Sequence, residues 1–138
     1  MDYNNTMIDL LKGIRNIAVV GLSDNPDRPS FAVAKYLQNS GFQVIPVNPK
    51  LSSWEDLVCY PSLEVARKDN QIDLVDIFRR SEEVGHIVQE VIGIGDVKVI
   101  WMQEGVTDVE ARNLAVKNGI IVVMDTCIMK YHHALSEK

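Results

Sequence analysis

The chain has 138 residues, 46% of them hydrophobic, and a formal net charge of −5, a size and composition suited to one domain with its own core. No run approaches the roughly 18 apolar residues of a membrane span, the start Met1-Asp2-Tyr3-Asn4-Asn5 has neither the basic nor the apolar region of a secretory signal, and the chain is expected to be cytoplasmic. The acidic balance gives no long-range attraction to nucleic acid or an anionic membrane, and Cys59 and Cys127 fit no C-x-x-C spacing, which points to two free thiols and not to a metal knuckle or disulfide framework.

Along the chain, Asn5 to Lys12 carries Met7, Ile8 and Leu11 at helical spacing. A strand-like run follows at Ile17 to Leu22, then a helix at Ser30 to Asn39 through Phe31, Ala34 and Leu37. The second strand is Gln43 to Val47. Leu51 to Lys68 stands outside any alternation; it holds Trp54 and Cys59 and ends in a short helix beginning near Pro61 or Ser62. The third strand, Ile72 to Phe78, leads into a helix at Ser81 to Ile92 with Val84, Ile87, Val88, Val91 and Ile92 on one stripe and Ser81 as its N-cap. Val97 to Met102 is the fourth strand, Thr107 to Glu110 has capping-box spacing for the next helix, Ile120 to Met124 is the fifth strand, and Ile128 to Leu135 is a short helix or a tail. Gly41 and Gly119 mark helix ends before strands. Near-continuous Val and Ile runs suit strands covered on both faces. Alternation with helices then predicts a Rossmann-like three-layer α/β fold on a five-stranded parallel sheet, with 3-2-1-4-5 as the simplest order.

In such a sheet ligands bind beyond the carboxyl ends of the strands. The first strand ends in Gly21-Leu22-Ser23 and runs through Arg28 and Pro29 to Ser30, where a helix N-terminus offers unpaired N–H groups to a phosphate. The second ends in Asn48-Pro49-Lys50, the third in Phe78-Arg79-Arg80, the fourth in Trp101-Met102-Gln103 and the fifth in Asp125-Thr126-Cys127. Arg28, Lys50, Arg79 and Arg80 thus meet one edge of an acidic protein, a footprint for a small polyanion. Arg79 and Arg80 stand directly before a helix, where cations oppose the dipole, and that favours a functional role. Arg28 could instead pair with Asp24 or Asp27, and Gly21 could serve only a tight turn.

A dinucleotide loop needs G-x-G-x-x-G, and here only the first glycine is present in Gly21-Leu22-Ser23-Asp24-Asn25-Pro26. The Asp or Glu that holds the ribose of NAD at the second strand end is absent as well, Asn48-Pro49-Lys50 standing in its place. His86, His132 and His133 have no metal-ligand spacing, and no nucleophile, base and orienter fall together. The residues therefore favour binding of a phosphate-rich ligand over turnover, with no catalytic residue and no metal assigned.

In order and spacing, AVVGLSDNPDRPS (18–30), IPVNPK (45–50), YPSL (60–63), DIFRRSEEV (76–84), WMQEGV (101–106) and VVMDTC (122–127) resemble the small single-domain CoA-binding proteins, which are similar to the CoA-binding domain of the succinyl-CoA synthetase α subunit. The resemblance covers nearly the whole chain. It implies bound coenzyme A or acyl-CoA, with Gly21, Ser23, Arg28, Ser30, Asn48, Pro49, Lys50, Phe78, Arg79 and Arg80 near the ligand, while Pro29, Gln103 and Cys127 join the candidate set by their place at the strand ends. Similar proteins commonly carry Arg and Glu where this chain has Thr126 and Lys130. The function implied is a non-catalytic carrier, sensor or regulatory module with CoA as small-molecule partner and neither nucleic acid nor membrane. The alternatives are an enzyme acting on acyl-CoA, an NAD(P)-linked oxidoreductase, and a redox-responsive binder that reads CoA against its disulfide.

Overall fold

A computed structural model describes residues 3–136. Helix α1 (Tyr3–Lys12) precedes strand β1 (Asn16–Val20), helix α2 (Pro29–Asn39) and strand β2 (Gln43–Val47). A two-stranded hairpin, β3 (Ser53–Trp54) and β4 (Leu57–Val58), then leads through α3 (Leu63–Asp69) to β5 (Leu74–Ile77). A 3-10 turn at Ser81–Glu83 and α4 (Val84–Ile94) connect β5 to β6 (Val99–Met102), followed by α5 (Val109–Lys117), β7 (Ile121–Val123) and α6 (Ile128–Ser136). The expected helices and main strands are all present. The hairpin was not expected.

Five strands form one parallel sheet in the order β2-β1-β5-β6-β7. Counted along the chain as first to fifth, that is 2-1-3-4-5, and the expected order 3-2-1-4-5 is corrected. The reason lies in Pro46. In the expected order the second strand is interior and bonds on both sides, but Pro46 has no N–H, and proline belongs on an edge. Its carbonyl accepts from Tyr60 N–H at 2.9 Å, and Asn48 N–H donates to Tyr60 at 2.9 Å, so the outer side of β2 is occupied by the segment after the hairpin. The third strand instead fits a central position, since β5 is buried at every residue.

The two faces separate cleanly by strand alternation. Ala18, Ile45, Val75, Ile77, Ile100 and Met102 pack with Leu63 and Ala66 of α3, Val84, Val88 and Val91 of α4, and Ala111 and Ala115 of α5. Ile17, Val19, Val44, Leu74, Val99 and Trp101 pack with Met7 and Leu11 of α1, Val33, Ala34 and Leu37 of α2, and Ile128 of α6. Each Val, Leu, Ile or Met among them contributes roughly 1.5–3 kcal/mol by burial, and the alanines less. The helix layer changes face after β2, because the chain reverses its winding direction and returns past β1 to lay β5 on the far side. The point of reversal lies between β1 and β5.

Two helix starts differ from expectation by their partners. Ser81 does not cap α4; its Oγ accepts from Thr107 N–H at 3.0 Å and joins the β5 and β6 loops. Asp108, not Thr107, caps α5, its Oδ1 accepting from Ala111 N–H at 3.0 Å. Ser62 caps α3, accepting from Val65 N–H at 3.2 Å, where the sequence places a helix beginning near Pro61 or Ser62. No helix among the described residues is long and apolar enough to cross a membrane.

Two aspartates on β5 and at its entry stand in contrast. Asp73 accepts from Arg15 and Asn16 N–H at 3.0 and 2.9 Å, which seats the start of β1. Asp76 is fully buried and neither of its oxygens has a hydrogen-bond partner. Burial raises its pKa well above the usual carboxylate range, because the charged form has no compensation in an apolar layer. The native state thus favours the protonated acid more than the unfolded chain does, so its contribution to stability is present below the ordinary carboxylate pKa and is lost as pH rises toward the folded value. Urea unfolding of wild type and Asp76→Asn at pH 5, 6, 7 and 8 is expected to show the variant gaining on wild type by up to about 1.4 kcal/mol per pH unit; parallel curves would mean that Asp76 does not titrate on unfolding.

Candidate functional site

The winding reverses between β1 and β5, and the loops beyond the carboxyl ends of strands at such a point are the general ligand position in open α/β sheets. The β1 and β5 loops touch at Gly21. This residue has φ +85°, and a Cβ placed there would lie 2.4 Å from the Phe78 carbonyl oxygen and 2.9 Å from Cδ of Arg79. Only glycine allows this approach and this backbone conformation together. The glycine is therefore required for loop-to-loop contact, a constraint stronger than the tight turn it suggests in sequence.

The loop from Gly21 to Ser30 is tied down by its own side chains and by the second strand end. Ser23 N–H donates to the buried Ser30 Oγ at 3.0 Å, Asn25 N–H to Ser23 Oγ at 3.0 Å, and Asp27 N–H to Asn25 Oδ1 at 2.9 Å. Asn48 Nδ2 donates to the Leu22 carbonyl at 3.0 Å while its Oδ1 accepts from Lys50 N–H at 2.9 Å, so one amide joins the two loops. Trp54 of β3 donates from Nε1 to the Ser23 carbonyl at 3.0 Å. Arg28 is the N-cap residue of α2, with Pro29 at the first helical position and no side-chain cap bond. Arg28 and Lys50 are exposed and make no ion pair among the described residues.

On the other flank, Phe78, Arg79 and Arg80 line a cleft of about 330 Å³ with Gln103, Glu104, Gly105 and Val106. Arg79 binds both oxygens of Glu83, at 2.8 and 2.7 Å, and Arg80 lies 3.8–3.9 Å from Glu82 and Glu83. The hydrogen bond from Arg79, and then the charges of both arginines, hold the Glu83 pKa below its usual range. Glu82 and Glu83 do not stand out in sequence as partners of the arginines, although the i, i+4 spacing of Arg79 and Glu83 carries that signal. Arg80 remains 78% exposed at its side chain and is free to turn toward a ligand.

At the far strand ends, Gln103 is buried and accepts at Oε1 from Ile128 N–H at 3.1 Å, which ties the start of α6 to β6. Cys127 is buried beside it. Lys130 pairs with Glu104 at 2.8 Å, and that hydrogen bond raises the lysine pKa. His132 lies near Cys127 in sequence, yet its Nδ1 bonds the Tyr36 hydroxyl at 2.7 Å, and burial, followed by the charge of His133, lowers its pKa. The structure therefore joins Gly21, Ser23, Ser30, Asn48 and the Asn48–Lys50 loop by hydrogen bonds, and gathers Phe78, Arg79, Arg80 and Gln103 along one cleft. Among the described residues no group of His, Cys, Asp and Glu could hold a metal ion.

A larger cavity of about 890 Å³ lies at the opposite end of the sheet, lined by Lys12, Arg15, Phe42, His132 and residues of α1 and α6. Phosphate-binding features do not converge on it: the ends of α1, α2 and α6 that face it are C-terminal, where the helix dipole disfavours an anion. The loops at the carboxyl ends of the strands are the better candidate.

Residues 15–133 match the family described as "CoA binding domain". The chain is 39% identical over 129 residues to the uncharacterized protein YneT of Bacillus subtilis, covering 94% of this chain and 93% of that one. A hypothetical protein from Pyrococcus horikoshii OT3 superposes with a TM-score of 0.91 at 32% identity, covering 98% of this chain and 93% of its own. A dinucleotide-forming acetyl-coenzyme A synthetase 1 of Ca. Korarchaeum cryptofilum shares the fold over 86% of this chain and 28% of its own, with a TM-score of 0.72 at 23% identity.

Gly21→Ala is expected to cost about 2 kcal/mol or more, because the added Cβ meets the Phe78 backbone before any movable side chain, at a positive φ. Thermal unfolding would register this as a midpoint lowered by roughly 5 °C or more; an unchanged midpoint would show that the two loops can part.

Proposed function

The chain belongs to the CoA-binding domain family, and on that premise we propose that it binds coenzyme A or an acyl-CoA in the crevice between the β1 and β5 loops as a non-catalytic carrier, sensor or regulatory module. The observation that carries this reading is the junction of the Gly21–Ser30 loop with the Asn48–Lys50 loop, through Asn48 Nδ2 and the Leu22 carbonyl, at the edge where Arg79 and Arg80 also lie. Loop amides and the start of α2 suit a diphosphate. In dinucleotide-binding sheets the second strand end meets the adenosine ribose; in CoA that ribose bears a 3′-phosphate, which matches the exposed and unpaired Lys50 better than an acidic residue would.

Two observations favour binding over turnover. Cys127 is buried, and the imidazole of His132 is engaged by Tyr36, so these nearby nucleophile and base candidates are not arranged as a pair. The single glycine of the first loop and the absence of an acid after β2 weigh against NAD.

The test is thermal unfolding of the reduced protein with CoA, dephospho-CoA, NAD, NADP and ATP at equal concentration. CoA at about 100 times its dissociation constant is expected to raise the midpoint by roughly 5–10 °C, dephospho-CoA by less, and NAD not at all. Lys50→Ala is expected to narrow the gap between CoA and dephospho-CoA. A shift with NAD or NADP and none with CoA would put an oxidoreductase in first place, and turnover of an acyl-CoA thioester would replace the carrier reading with an enzyme.

A further inference from the structure

We propose that Trp54 is a positioning residue for the ligand: through the Ser23 carbonyl it turns the Ser23–Asp24 peptide so that the Asp24 N–H faces the crevice as a donor to a phosphate oxygen. The proposal rests on the coenzyme A reading above and concerns one backbone donor within that site.

Trp54 is 1% exposed. Its ring packs against Phe31 with centroids 5.3 Å apart, and Lys35 Nζ sits 5.9 Å from the ring centroid, so α2 fixes the indole from one side. The hairpin fixes it from the other, through the pairing of Trp54 with Leu57 and the bond from Cys59 N–H to Ser52 at 3.1 Å. A ring held this firmly presents Nε1–H in one direction, and that donor takes the Ser23 carbonyl.

A trans peptide carries its C=O and N–H on opposite sides, and the chain contains no cis bond among the described residues. Anchoring the Ser23 carbonyl on the indole therefore points the Asp24 N–H away from the hairpin. The donors of this loop can be accounted for one by one. Ser23, Asn25, Asp27 and Arg28 all donate within the loop, to Ser30 Oγ, Ser23 Oγ, Asn25 Oδ1 and the Asn25 carbonyl, and Pro26 has no N–H. Asp24 N–H alone from Ser23 to Arg28 has no acceptor among the described residues. A backbone donor held in place and left unpaired at a loop mouth meets an anion with little reorganisation, and a bond from N–H to a charged oxygen is among the stronger hydrogen bonds.

Amide-resolved NMR of the wild-type protein titrated with coenzyme A is the first measurement. The Asp24 amide resonance is expected to shift downfield on binding. Trp54→Phe, which keeps an aromatic ring and deletes the indole N–H, is expected to weaken CoA binding about tenfold and to blunt that shift. Asp24→Pro deletes the donor itself and is expected to cost a similar factor. Because both changes act on one peptide, the double variant Trp54→Phe/Asp24→Pro loses no more than Asp24→Pro alone. The proposal is overturned by an unmoved Asp24 resonance while others shift, by full affinity in either folded variant, or by losses that multiply in the double variant. A wild-type spectrum that CoA leaves unchanged throughout overturns the CoA reading itself, and the proposal with it.

Discussion

The approach of the β1 loop to the β5 loop at Gly21 is the contact on which the site depends. Where the Phe78 carbonyl lies 2.4 Å from the position a Cβ would take, two backbones pass with no side chain between them. That contact follows from strand order: β1 and β5 are neighbours, and the chain reverses its winding direction between them. Placing the third strand beyond β2, as its sequence position first suggests, would carry Phe78, Arg79 and Arg80 away from the Gly21 loop. With β5 beside β1, the loop that carries the two arginines lies against the glycine loop at the carboxyl ends of the strands.

The charge of these loops is partly balanced from within. Glu83 holds Arg79 in a two-oxygen clasp and Glu82 stands beside Arg80, on a protein that is acidic overall. The N-terminal turn before α4 gains from those carboxylates, since acids suit a helix start and arginines do not. The same four residues therefore relieve an unfavourable helix start in the free protein and keep positive charge near the glycine loop. Arg28 and Lys50, in contrast, lie on loops that are ordered by backbone and amide hydrogen bonds and carry their charge without internal neutralisation.

Much of the fold was legible because its signal is apolar periodicity. All five main strands, and the helices between them, follow from runs such as Val97 to Met102 and the stripe from Val84 to Ile92. The loops of the candidate site stand out in sequence because glycine, proline and cations at strand ends have few structural uses. Strand order was not, although Pro46 carried the information: one missing N–H decides between edge and interior, and a periodicity argument does not weigh it. Ser81 and Thr107 look like caps in sequence, yet long-range partners decide what a hydroxyl or an amide does. Asp76 was hidden for the opposite reason, since within an apolar run its neighbours announce a buried strand and nothing announces the unpaired acid. Trp54 stood out in a polar segment, but only the folded hairpin reveals that its indole reaches Ser23.

Pro46 has a further bearing on how copies of this molecule can meet. The outer side of β2 lacks one donor, and its neighbouring groups are taken by Tyr60, so that margin of the sheet offers little to an incoming strand. The opposite margin, β7, bonds only to β6 and carries the exposed Ile121. A sheet with two open margins can add molecule after molecule into a fibre, whereas a sheet with one can join only a second copy, margin to margin about a two-fold axis, and then stops. Pro46 and the Tyr60 segment together thus leave β7 as the margin of this sheet at which a further strand would find free partners.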